Sequence, residues 1–131
     1  VFASDLLRAL QDIRCEVTFI RVSSYYGMAS TGQLEFIVPL QQVVDQRDVI
    51  IIEDIVDTGL TIHQLKAHMR AQGATSVRVA TMLFKPNKLE YDDAKPDYIG
   101  REMTDEFVIG YGLDFDGFVR NLDAIYKVTD E

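Results

Sequence analysis

The chain has 131 residues, 47% of them hydrophobic and 26% charged, a length and balance that suit one ordinary globular domain with a core of its own. Its net charge of -8 and pI of about 4.6 repel nucleic-acid phosphates, so nucleic acid is excluded as a primary partner. Its one cysteine, Cys15, excludes an internal disulfide and favours a reducing cytoplasm, and no apolar run approaches the ~18 residues of a membrane span.

The chain opens at Val1, inside what already reads as a helix, so an N-terminal piece is expected to precede it. No secretory signal is recognisable at that end. Phe2, Leu6, Ala9, Leu10 and Ile13 recur at helical spacing, which predicts an amphipathic helix to about Asp12. Glu16 to Val22 is β-branched and alternating and reads as a strand. Ser23 to Gly32 is small, polar and glycine-bearing and reads as a loop. Gln33 to Val38 is a second strand, the return arm of that loop.

Val49 to Ile52 is the continuous apolar run of a strand buried on both faces, followed by a loop from Glu53 to Gly59. Thr61 to Gln72 is predicted as a helix with Ile62, Leu65 and Met69 on one face, stopped by Gly73. Val77 to Phe84 reads as another buried strand, Pro86 to Lys95 as a charged loop, and Tyr98-Ile99 and Phe107 to Ile109 as short strands. Val119 to Ile125 is expected to be a short terminal helix. Strands alternating with helices imply an α/β fold with a mainly parallel sheet flanked by helices, in one domain over residues 1–131.

The chemistry is concentrated between Val49 and Thr61. In open α/β sheets ligands bind beyond the carboxyl ends of the strands, where the run places Glu53 and Asp54. Two adjacent carboxylates repel unless a cation or a polyhydroxylated ligand satisfies them, and a ribose diol with Mg2+ does both. Asp57-Thr58-Gly59-Leu60-Thr61 then leads into a helix N-terminus, whose free N–H groups and dipole form a phosphate cradle. Gly59 permits the tight turn, and the hydroxyls of Thr58 and Thr61 add donors. No Gly-Lys-Ser/Thr follows, so this is not a Walker loop. A lone Asp-x-Thr-Gly is equally well explained by helix capping; the thirteen-residue combination is not.

That segment resembles the phosphoribosyl-pyrophosphate motif of type I phosphoribosyltransferases, and Glu53-Asp54-Ile55-Val56-Asp57-Thr58-Gly59 resembles its hypoxanthine-guanine branch. The resemblance implies transfer of a phosphoribosyl group to hypoxanthine or guanine, with pyrophosphate leaving and Mg2+ as cofactor. It implies that Glu53 and Asp54 contact the ribose hydroxyls and metal, and that Asp57 to Thr61 bind the 5′-phosphate. Asp57 matches the family's usual general base, near purine N7.

Other stretches match less specifically. Lys85, ending a strand, matches the lysine that donates to the purine 6-oxo group, and an ammonium suits that acceptor while disfavouring an exocyclic amine. Phe107 matches an aromatic that stacks on the purine, and the backbone of Val108 reads the base edge. Asp114 matches a base-side aspartate that helps hold Mg2+, and Arg120 an arginine reaching the pyrophosphate. Ser24-Tyr25, with Tyr26 adjacent, resemble the family's lid. Alone, each is better explained as a core aromatic, a turn aspartate or a surface cation; their joint spacing after the phosphate motif reverses that. The resemblance also implies a homodimer or homotetramer, and a pyrophosphate-binding loop just ahead of the opening helix, outside these 131 residues. Cys15, His63 and His68 show no ligand spacing.

Three other readings compete, and one of them, a receiver-like or Rossmann-like binding module, lacks its own fingerprint in this sequence. A regulator that senses phosphoribosyl pyrophosphate needs a basic nucleic-acid surface, which the charge does not offer. A xanthine- or pyrimidine-type transferase fits Lys85 and Phe107-Val108 less well than a 6-oxopurine enzyme.

Overall fold

The computed structural model describes residues 1–24 and 34–129. Helix α1 spans Phe2–Ala9, and β1 (Arg21–Ser24) pairs antiparallel with β2 (Leu34–Val38). The central unit is β3 (Asp48–Val56), α2 (Leu60–Ala71), β4 (Ser76–Phe84) and β5 (Tyr98–Glu102), with the three strands parallel in the order β3-β4-β5. Two 3-10 turns, Pro86–Lys88 and Asp92–Ala94, lie between β4 and β5. β6 (Val108–Ile109) and β7 (Tyr126–Lys127) form a short antiparallel pair.

The apolar runs set the core. Val56, Ile62, Val79, Phe84 and Ala94 pack together between the sheet and α2, and Val44, Met69 and Val77 continue that layer. Met82, Leu83 and Leu113 form a second cluster, against which Phe2 of α1 and Ile55 pack. Phe84 is 1% exposed, and its truncation to Ala is expected to cost about 3–5 kcal/mol.

Side-chain alternation breaks near the end of β3. Val49 and Ile51 face the α2 layer, Ile55 joins the opposite cluster, and Val56 returns to the α2 layer. β4 repeats the change, with Val77 and Val79 on the α2 side, Leu83 opposite and Phe84 back again. Register nevertheless holds across the break, from Glu53↔Thr81 to Ile55↔Leu83. Strict period-two alternation would keep Val49, Ile51 and Ile55 on one face, so both strands are re-aimed together at Glu53-Asp54.

Four expectations are corrected. α1 ends at Ala9 rather than near Asp12, and Leu10 caps it through amide bonds to the carbonyls of Leu6 and Leu7. Of the strand expected over Glu16 to Val22, only Arg21 and Val22 belong to β1: the β2 ladder begins opposite Arg21, and Val17 and Phe19 are exposed. β3 runs on through Glu53 and Asp54 to Val56, because β4 pairs alongside it as far as Val56↔Phe84, so the acidic pair is in the strand rather than in the loop. The helix expected over Val119 to Ile125 does not form. Val119 has φ +61, and the carbonyls of Arg120 and Leu122 accept from the amides of Gly112 and Tyr111, which folds this segment back before it enters β7.

Candidate active site

At the carboxyl end of β3 lies a cavity of about 370 Å³, lined by residues 53–62 and Val22. It is bounded by the acidic pair on one side and the start of α2 on the other. Asp54 Oδ1 accepts from the amide of Ile55 at 2.7 Å, and Glu53 Oε1 accepts from the amide of Asp54 at 3.3 Å. Burial, and then the neighbouring charge of Asp54, push the Glu53 carboxyl up to about 7. The site stores the repulsion that a diol or cation would relieve.

Asp57 follows the strand. Its Oδ1 is buried and has no hydrogen-bond partner among the described residues. Buried acceptors without partners are uncommon in folded proteins, and Asp57 is among the residues that line the cavity.

The cradle is built by Gly59 and its neighbours. Gly59 caps α2 with φ +85, and a Cβ there would fall 2.7 Å from Ala94 Cβ and 2.8 Å from Leu89 Cδ1. Only glycine meets both conditions. Thr58 Oγ1 accepts from the Leu60 amide at 3.4 Å, and the Thr58 carbonyl accepts from the Glu90 amide at 2.9 Å. Helix geometry leaves the first-turn amides of Thr61 and Ile62 without intrahelical acceptors, aimed out of the N-terminus.

Lys85 follows β4 and is buried, its amide bonded to the Val56 carbonyl at 3.0 Å, which ties it to the end of β3. Its Nζ lies 3.5 Å from Asp105 Oδ1, which Lys88 also approaches, at 2.5 Å. Phe107 is 53% exposed and meets Phe115 edge-on at 5.9 Å. Val108 is half-buried in β6. Asp114 and Arg120 are brought together: Arg120 Nη2 lies 3.0 Å from Asp114 Oδ1, while Asp114 Oδ2 accepts from the Gly117 amide at 2.8 Å. Arg120 Nη1 donates to the Gly112 carbonyl at 2.8 Å. Ser24 ends β1, and Tyr25 lies outside the described residues.

Among the described residues no three His, Cys, Asp or Glu side chains converge as a metal cage, so Glu53, Asp54 and Asp114 do not form one. The hydrogen bonds of Glu53 and Asp54 named above each engage one carboxylate oxygen. That suits Mg2+, which takes one or two carboxylates and completes its shell with water and substrate phosphates.

Sequence reading missed Asp105 and Lys88, and the support that Leu89, Ala94 and Asp93 give the cradle. These residues sit in charged connecting segments, where no periodicity marks a partner.

The described residues contain no helix long and apolar enough to cross a membrane. A phosphoribosyl transferase domain model matches residues 1–116. The hypoxanthine-guanine phosphoribosyltransferase of Staphylococcus aureus is 39% identical over 133 residues, covering 100% of this chain and 73% of that protein. A crystal structure of a Staphylococcus aureus hypoxanthine phosphoribosyltransferase superposes with a TM-score of 0.90 at 37% identity, covering 98% of this chain and 69% of that one. The Trypanosoma cruzi hypoxanthine phosphoribosyltransferase in complex with the product IMP gives a TM-score of 0.89 at 35% identity, covering 98% and 68%. Both the strand-to-helix geometry around Gly59 and the extent of these matches lead to one assignment: this chain belongs to the phosphoribosyltransferase family.

Proposed function

We propose that this chain is a purine-salvage enzyme that transfers the phosphoribosyl group of phosphoribosyl pyrophosphate to hypoxanthine or guanine. The products are IMP or GMP and pyrophosphate. The observation that carries this reading is the buried, unpartnered Oδ1 of Asp57, set between a carboxylate pair and an open helix N-terminus.

In this reading the 5′-phosphate occupies the cradle, bonded by the amides of the first turn of α2 and the hydroxyls of Thr58 and Thr61, beside Gly59 and Leu60. Glu53 and Asp54 accept from the ribose 2′- and 3′-hydroxyls. Purine N9 attacks C1′, the bond from C1′ to the pyrophosphate oxygen breaks, and Asp57 takes or steers the proton the purine gives up. Such a positioned base is typically worth about 10²–10⁴-fold. Lys85 donates to the 6-oxo group, Phe107 stacks on the ring, and the Val108 backbone reads its edge.

Arg120 reaches the pyrophosphate, and its ion pair with Asp114 sets its direction. Mg2+, held by Glu53 or Asp54 with help from Asp114, would neutralise charge on the departing pyrophosphate. Residues 1–131 act as one domain, and the family implies a homodimer or homotetramer.

The test is a scan of hypoxanthine, guanine, xanthine, adenine and uracil with phosphoribosyl pyrophosphate and Mg2+, following nucleotide formation by chromatography. Turnover of hypoxanthine and guanine is expected. Turnover of adenine or uracil alone overturns the 6-oxopurine assignment, and turnover of xanthine alone overturns the choice of hypoxanthine and guanine.

A further inference from the structure

Lys85 carries its charge where water scarcely reaches: its side chain is 9% exposed. A buried ammonium needs an opposite charge and acceptors for its protons. The carboxylate within reach is that of Asp105, whose Oδ1 lies at 3.5 Å, the outer limit of a hydrogen bond. Asp105 therefore engages one of the three N–H groups of Lys85 loosely. The same oxygen is held much more closely by Lys88 Nζ, at 2.5 Å. The Lys88 hydrogen bond also holds the Asp105 carboxyl below the usual carboxylate range.

This arrangement joins two parts of the chain. Lys85 precedes the 3-10 turn after β4 and Lys88 ends it, whereas Asp105 lies between β5 and β6, two residues before Phe107. The negative charge of Asp57 also acts on Lys88, so the cluster borders the site.

We propose that Asp105, anchored by Lys88, is a positioning residue for base recognition: it fixes the direction of the Lys85 ammonium so that its remaining N–H groups meet the purine 6-oxo oxygen. This rests on Lys85 reading the 6-position. Asp105 needs no contact with substrate. Its long contact to Lys85 steers the ammonium without saturating it, while the close contact to Lys88 keeps the carboxylate in place.

The experiment compares Asp105→Asn, Asp105→Glu, Lys88→Met, Lys85→Met and the double variant Asp105→Asn/Lys85→Met in steady-state assays. The Asp105 side chain is 68% exposed, so its variants are expected to fold, and melting temperatures check this. Asp105→Asn should raise KM for hypoxanthine about tenfold, the size of one charge-assisted contact, with kcat and KM for phosphoribosyl pyrophosphate unmoved. The preference for hypoxanthine over adenine should fall with it. Asp105→Glu should recover most of the lost affinity, and Lys88→Met should shift hypoxanthine KM in the same direction by less. In the Lys85→Met background Asp105→Asn should add little, because the two changes break one contact chain.

Equal losses for both substrates, or full additivity in the double variant, overturn the positioning role. So does an unchanged hypoxanthine KM in Asp105→Asn when Lys85→Met raises it. If Lys85→Met itself leaves hypoxanthine KM and base preference unchanged, the base-reading role of Lys85 fails, and the role of Asp105 falls with it.

Discussion

His63 Nδ1, on α2, donates to Asp93 Oδ1 at 2.7 Å. Lys66 Nζ on the same helix donates to the Asp93 carbonyl at 2.6 Å, and the His63 ring stacks on Tyr91 at 4.7 Å. These contacts clamp the segment after β4 against α2, and that segment carries Leu89 and Ala94 onto Gly59. The cradle is therefore shaped from outside as well as by its own sequence. Gly59→Ala must place a methyl group into that contact at a φ of +85. Left-handed strain costs about 1–2 kcal/mol and overpacking about 1–3 kcal/mol, so the variant should lose about 2–5 kcal/mol of stability and bind phosphoribosyl pyrophosphate more weakly. Denaturant melts and calorimetry check both, and a variant with wild-type stability would show that the packing yields freely.

Asp57→Asn preserves shape while removing the base. kcat should drop at least ~10-fold, with KM for phosphoribosyl pyrophosphate nearly unchanged. Unaltered kcat removes Asp57 from the catalytic assignment.

Thr61→Ala tests the cradle. Loss of one hydroxyl donor to a phosphate should weaken phosphoribosyl pyrophosphate binding by roughly 1.5–3 kcal/mol and purine binding much less. Calorimetric titration of each ligand decides it: equal losses for both mean that the hydroxyl is structural.

Glu53 gives a pH dependence. Its carboxyl titrates near 7 in the folded chain against an ordinary value of 4.5. Between those values the folded state binds the proton that the unfolded chain has released, so its contribution to stability falls as pH rises from 4.5 to 7. The full penalty, up to about 3 kcal/mol, is present above pH 7. Glu53→Gln should be more stable than the wild type at pH 8, with the advantage shrinking toward pH 4.5. Thermal melts of both proteins across that range measure the difference, and a difference that does not vary with pH contradicts the assignment.

Much of this architecture was legible in the residues themselves. The run Val49 to Ile52, the α2 stripe of Ile62, Leu65 and Met69, and the strand Val77 to Phe84 are strongly periodic or continuously apolar, and each formed within a few residues of its expected place. What failed depended on partners distant in sequence. Val17 and Phe19 alternate like a strand but have no ladder opposite them among the described residues, whereas Glu53 and Asp54 are polar and sit in a strand because β4 pairs beside them. Val119 to Ile125 has a helical composition, but main-chain bonds to Tyr111 and Gly112 decide its path. In the site, the carboxylate pair and the glycine turn are local and readable. The environment of Lys85 is not, since Asp105 reaches it from 20 residues away.

Lys85 tests the substrate class. Its ammonium has only donors, so it suits a 6-oxo acceptor and leaves a 6-amino group unpaired and repelled. Its side chain is buried, so water cannot compensate for that mismatch. Sites that reject a substrate by stranding buried polar groups discriminate by about 10⁴ or more. The wild type should therefore use hypoxanthine and guanine and turn over almost no adenine. Lys85→Gln keeps a side chain of moderate length whose amide both donates and accepts, so the barrier against adenine should soften while hypoxanthine use declines. Asp105 then keeps its close partner Lys88, which limits the damage to the loop before Phe107. The measurement is kcat/KM for hypoxanthine and for adenine in both proteins. A wild type that already uses adenine well, or a ratio that the substitution leaves untouched, means that Lys85 does not read the 6-position. Base choice would then rest on Phe107 and the Val108 backbone, and the buried ammonium would serve only to join β4 to the segment bearing Asp105.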